Sequence, residues 1–172
     1  MKIINQNIQV FKQKIENYKE INEKLLNWFE EVPQKNFGTD YNVSKTDFKT
    51  SEDMNRPYVK YLFNEFTPYI NKIGEVLRTE KCAIPNLWFQ QYLQNDSHSW
   101  HNHGEVNWVN IYFVELPETL GTEFLDFEIK DIQEGDLLTF PAQFIHRAPK
   151  NSTKHRKTIV SFNSNYTDYK EA

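Results

Sequence analysis

The chain has 172 residues, a length that favours one domain with a core large enough to fold without disulfide or zinc staples. Aromatic residues make up 15%, too many for a disordered chain, and 5 glycines with 7 prolines exclude collagen-like and low-complexity readings. A net charge of −4 offers no basic field for nucleic acid, the single cysteine, Cys82, excludes a disulfide framework and multi-cysteine metal sites, and no apolar run approaches the roughly 20 residues of a membrane span.

Residues 1–7, Met-Lys-Ile-Ile-Asn-Gln-Asn, turn polar at once and hold no signal-peptide core, so a cytoplasmic chain is expected. From there apolar residues recur at Ile4, Ile8, Phe11, Ile15, Tyr18, Ile21, Leu25, Trp28 and Val32. Steps of three and four predict one amphipathic helix over about 4–31, ended by Pro33. Residues 33–55 are polar and read as a surface connection with room for a short strand. A second stripe runs through Val59, Leu62, Phe63, Phe66, Ile70, Ile73 and Leu77. Thr67-Pro68 inside it reads as an N-cap and first-turn proline, giving two short helices or a kinked one.

Beyond Cys82 the pattern becomes β-branched and aromatic. Strands are predicted at 87–93, 108–115, 122–127, 136–140 and 157–162, punctuated by Pro117, Gly121, Gly135 and Pro141. Helices first and short strands later predict an α+β fold. It would be a sandwich or small barrel over 84–166, supported on one side by helices within 1–80, the whole forming one domain over 1–172.

Five histidines carry the functional signal: His98, His101, His103, His146 and His155. Two residues apart on a strand, His101 and His103 face one side and can present two imidazoles to one metal. His146, reached through Gly135-Asp-Leu-Leu-Thr-Phe-Pro141, is the candidate third ligand. Glu105 is an alternative, because His103-Gly-Glu105 forms a second His-x-carboxylate pair. Imidazole suits iron, zinc, copper and nickel alike, so ligand type does not choose the metal. His98 and His155 are expected to face solvent, and Trp100 and Trp108 to be core aromatics. Ten and eleven residues after His146, Arg156 and Lys157 enter the last strand. One of them turned inward would be a buried cation that needs an anionic partner, which a small dicarboxylate chelating the metal would supply.

From Trp88 to Tyr92, through His101-Asn-His103 and Ile111-Tyr-Phe-Val114, to Gly135-Asp-Leu-Leu-Thr-Phe-Pro141, His146-Arg-Ala-Pro and Lys157-Thr-Ile-Val-Ser-Phe-Asn163, the second half resembles the 2-oxoglutarate- and Fe(II)-dependent oxygenases. It is most similar to small phage and marine-bacterial oxygenases related to prolyl 4-hydroxylases. The resemblance implies a double-stranded β-helix (jelly roll), Fe(II) as cofactor, and 2-oxoglutarate with O₂ as cosubstrates. It implies hydroxylation of a C–H bond coupled to decarboxylation to succinate, with no catalytic residue beyond the metal centre. It also implies a host-cytoplasmic location for a phage-encoded chain. His101 and His146 would be ligands, and Lys157, with Arg156 as the fallback, would hold the far carboxylate beside Tyr92 and Ser161. Three departures stand out. His103 fills the usual carboxylate slot, Lys157 replaces the commoner Arg, and Asn95 replaces a glycine three residues after the tyrosine.

Two other readings fit part of the pattern. Gly135, Pro141 and His146 match a cupin motif, a metal-binding double sheet. A virion or assembly protein of the same barrel, without the chemistry, is the other. The substrate is not encoded legibly: a protein side chain, a nucleobase and a small metabolite all fit.

Overall fold

In the computed structural model, which describes residues 9–32, 41–118 and 120–170, the central strands are buried on both faces. These are β5 (Leu87–Tyr92), β7 (Trp108–Glu115), β9 (Asp136–Pro141) and β11 (Lys157–Tyr169). On β7, Tyr112 and Val114 pack with α1 (Tyr18–Glu31) and α2 (Pro57–Leu77), whereas Val109, Ile111 and Phe113 face a second apolar cluster. On β11, Val160 and Phe162 join the helices while Ile159 joins the other side. Burial on both faces explains why these strands read as continuous apolar runs rather than alternating ones.

The larger sheet has the order β1-β9-β7-β11-β5-β3, with β1 at Phe11–Lys14 and β3 at Lys45–Thr46, and β4 (Thr79–Ala83) pairs the far half of β11. A smaller sheet has the order β2-β6-β10-β8. Its strands are β2 (Tyr41–Asn42), β6 (Ser97–His101), β8 (Glu123–Phe124) and β10 (His146–Ala148). Every pairing is antiparallel. Phe124 and Ala148 of the small sheet pack with Val109, Ile111 and Ile159 of the large one, closing a two-sheet barrel with the helices on its outer side. The α+β jelly-roll expectation holds.

The first helix is shorter than its sequence pattern. Residues 1–8 lie outside the described residues, and Phe11–Lys14 is a strand paired with β9, Phe11 opposite Thr139 and Lys14 opposite Asp136. Phe11, Gln13 and Ile15 turn inward while Lys12 and Lys14 are exposed, a period of two hidden inside the three-and-four spacing. Asn17 then takes the left-handed conformation (φ 55) that starts α1. The helix ends at Glu31, with Val32 extended as a residue before proline must be.

The second helix is unbroken, so Thr67 is not an N-cap. Its hydroxyl instead bonds back to the Phe63 carbonyl, four residues earlier. Pro68 and Asn64, whose carbonyl loses a partner, lie on the exposed face, where solvent can reach that carbonyl. Leu62, Phe66, Ile70 and Ile73 on the opposite face carry the helix across. In the connection before it, Asp47 accepts from the Phe89 backbone N–H (3.0 Å) and the Tyr58 hydroxyl (2.6 Å) and pairs with Arg56. That staple fixes the 3₁₀ turn Phe48–Thr50 against β5.

Gly135 is the one glycine with a positive φ (81°) among the described residues, and a Cβ built there would meet Tyr18 Cγ at 2.3 Å. Gly135→Ala should therefore cost roughly 2–4 kcal/mol in urea unfolding, from the left-handed backbone and the displaced ring together. A loss below about 1 kcal/mol would mean that Tyr18 relocates freely.

Candidate metal centre

A bulge in β6 builds the site. His101 lies opposite His146, yet the next pair is His98 with Ala148: three residues on β6 against two on β10. The extra residue turns both His98 and His101 toward the cavity, the re-aiming that bulges provide beside functional sites. His103 lies just past the strand end, where its backbone N–H bonds Ala142 O at 3.0 Å. His101, His103 and His146 then place one ring nitrogen each within 4.8 Å of one another.

The tautomers follow from the partners. His101 Nδ1 meets Ser99 O at 2.8 Å, His146 Nδ1 meets Phe144 O at 2.9 Å, and His103 Nδ1 meets Asn163 Oδ1 at 2.7 Å. Asn163 uses its amide Nδ2 on Asn86 Oδ1, which leaves its oxygen for His103. Carbonyl oxygens only accept, so each Nδ1 carries the proton and each Nε2 keeps its lone pair. Such partners orient metal-binding imidazoles. Burial pushes all three imidazoles below their usual range, His146 down to about 3, so the triad is neutral, the form that can hold a metal.

Glu105, the alternative ligand, sits on an exposed turn with φ 62 and is not part of this cluster. His98, expected at the surface, instead stacks on His101 with ring centroids 4.0 Å apart. His155 is exposed as expected. Trp108 packs on Phe11 and Tyr166 as a core ring, but Trp100 is 40% exposed and lies under the Arg147 guanidinium, 4.4 Å away.

The triad opens into a cavity of about 350 Å³ that reaches Tyr92, Thr122, Ile159 and Ser161. Lys157, opposite Tyr92 in register, is 1% exposed. Its ammonium lies 5.6 Å from the Tyr92 ring centroid and 3.4 Å from Gly121 O, with no carboxylate in salt-bridge contact among the described residues. Burial pushes its pKa down to about 7, against the attraction of Glu123. The Tyr92 hydroxyl is buried with no hydrogen-bond partner. Arg156 is not the inward cation: it pairs with Glu115 (2.8 Å) and with Glu30 of α1 (2.9 Å), whereas Lys157 is buried behind the cavity-lining Tyr92. Alternation on β11 decides between them, sending Lys157, Ile159 and Ser161 to one face. Asn95 takes φ 76, the left-handed geometry that a glycine would adopt without strain.

These donors fit a divalent metal at the triad and a carboxylate between Lys157 and Tyr92. Sequence reasoning missed His98, Asn163 and Trp88; for His98, the bulge carries no signal in the residue spacing.

No family model and no curated protein matches the sequence. Solved structures do match. Viral collagen prolyl hydroxylase from Paramecium bursaria Chlorella virus-1, in its 2-oxoglutarate complex, superposes with a TM-score of 0.65 at 12% identity, covering 91% of this chain and 97% of that one. The non-heme α-ketoglutarate-dependent epimerase SnoN of nogalamycin biosynthesis gives 0.72 at 12% identity, over 91% and 77%. HygX from Streptomyces hygroscopicus, with nickel and 2-oxoglutarate bound, gives 0.67 at 9% identity, over 93% and 84%. The chain has the fold of the 2-oxoglutarate-dependent oxygenases, as its motifs led us to expect.

Proposed function

We propose that the chain is an Fe(II)- and 2-oxoglutarate-dependent oxygenase. His101, His103 and His146 would hold the metal through Nε2, and Lys157 with Tyr92 would hold the far carboxylate of 2-oxoglutarate. Iron and cosubstrate supply the oxidative step: C–H oxidation by O₂ coupled to decarboxylation to succinate. The chain's own residues orient and enclose. Ser99, Phe144 and Asn163 fix the three imidazoles through their Nδ1 protons. Val109, Ile111 and Ile159 make the cavity wall apolar and limit water. Ser161 lines the same wall between the two ends.

The observation that carries this reading is Lys157, a buried cation with no ion-pair partner among the described residues, beside an unpartnered Tyr92 hydroxyl and across the cavity from three aimed imidazoles. A barrel that only binds metal has no use for that cation, which counts against the cupin reading and against an inert barrel. SnoN, an epimerase, shows that the fold serves chemistry beyond that of the prolyl hydroxylases. Among the described residues no helix is long and apolar enough to cross a membrane.

The test is an anaerobic Fe(II) titration with and without 2-oxoglutarate, read by the visible metal-to-ligand charge-transfer band. The band should need both components and vanish in His146→Ala. Metal binding without a band would point to a metal-binding barrel of another kind. No metal binding would leave a structural protein.

A further inference from the structure

Among the described residues, three buried side-chain atoms lack a hydrogen-bond partner: Trp88 Nε1, Tyr92 OH and Gln91 Nε2. Gln90 and Tyr92 line the cavity, so alternation along β5 sends Gln91 to the helix side. Tyr92 belongs with Lys157. Trp88 is left, a cavity-lining residue only 6% exposed whose N–H has no acceptor. A buried donor without an acceptor is costly and rare enough to need an explanation.

We infer that the Trp88 indole N–H donates to the metal-proximal carboxylate of 2-oxoglutarate, an inference that rests on the oxygenase reading. Three placements support it. Trp88 lies four residues from Tyr92 on β5, and its ring is nearly parallel to that of His103, 22° apart with centroids at 6.2 Å. It therefore sits at the metal end of the cavity, as Tyr92, with Lys157 against its ring, sits at the other. Phe48 packs edge-on against the indole at 5.1 Å and is itself 50% exposed, so it roofs Trp88 from the mouth. A donor beneath that roof meets the inner ligand rather than a substrate arriving from outside. Finally, the triad is all imidazole, so the metal-bound carboxylate of the cosubstrate brings the negative charge to the centre. A buried N–H still in want of an acceptor at that end would add a charge-assisted bond to it.

The experiment is calorimetric titration of 2-oxoglutarate into Ni(II)-loaded protein, wild type against Trp88→Phe, which removes the N–H and keeps an aromatic ring. The dissociation constant should rise about tenfold or more, the loss expected for one hydrogen bond to a charged group. Ni(II) affinity should stay within about twofold. A second readout needs no variant to fold. In Zn(II)-loaded wild type, 2-oxoglutarate should move the Trp88 indole N–H proton resonance downfield, with Trp28, Trp100 and Trp108 as internal references. Unchanged affinity in Trp88→Phe, or an unmoved Trp88 resonance, overturns the inference while leaving the oxygenase reading intact. Failure of the metal-loaded wild type to bind 2-oxoglutarate overturns both.

Discussion

Lys157→Met should make the protein more stable and unable to bind 2-oxoglutarate. The buried ammonium has its pKa pushed down to about 7 from the ordinary 10.5, chiefly by desolvation. The folded state therefore gives up a proton that the unfolded chain keeps between those values. A shift of this size is a folding cost of about 5 kcal/mol, fully present below pH 7 and relieved as pH rises toward 10.5. Methionine fills similar volume without that cost, so a gain of at least about 2 kcal/mol is expected near pH 7, or roughly 4–8 °C in Tm. The gap between variant and wild type should shrink as pH rises through this window. Binding follows the same proton. A carboxylate beside the amine favours its charged form, so 2-oxoglutarate uptake above pH 7 should take up a proton and weaken by up to about tenfold per pH unit. Calorimetry in buffers of different ionisation enthalpy reads that proton directly. A variant less stable than wild type, with 2-oxoglutarate affinity intact, would remove Lys157 from the pocket.

The cost of Lys157 is the kind of local penalty that marks a functional site, and it was legible in the sequence only as a choice between neighbours. Arg156 and Lys157 are one residue apart, and a one-residue slip exchanges their faces. The structure resolves this with Glu115 and Glu30, which capture Arg156 from β7 and α1, elements far away in sequence. The central strands were legible because they are apolar on both sides. β1 was not, because Phe11 and Ile15 satisfy a helical spacing and only pairing with β9 makes them extended. The His-x-His pair was legible by type and spacing, and His146 by its place after Pro141. His98 was not, since its inward turn comes from a bulge that β10 imposes on β6. Trp100 was misread as core because an aromatic flanked by histidines looks buried, whereas its strand places it under Arg147 on the outside.

His103→Asp should tighten metal binding and loosen 2-oxoglutarate. In the wild type no carboxylate among the described residues joins the triad, and Glu105 stays on its exposed turn. A divalent metal there keeps its full positive charge until the cosubstrate arrives. An aspartate at position 103 places a negative charge within a few ångströms of both metal and cosubstrate. At an effective dielectric of about 20, such a charge is worth a few kcal/mol for the cation and acts against the incoming dianion. We expect Mn(II) to bind more tightly, and 2-oxoglutarate to bind the loaded variant at least about tenfold more weakly. The hydrogen-bond chain has to adapt as well. Asn163 now offers its oxygen to the His103 N–H, and an aspartate needs the amide nitrogen instead, so Asn163 and Asn86 must both turn over. His103→Asp with Asn163→Leu separates the two effects. That pair removes the amide chain and keeps the charge. Parallel titrations of Mn(II) and of 2-oxoglutarate decide the matter. If the aspartate variant binds 2-oxoglutarate more tightly than wild type, the third imidazole is not what draws the dianion to this centre. Its role would then be positional, set by Asn163 rather than by charge.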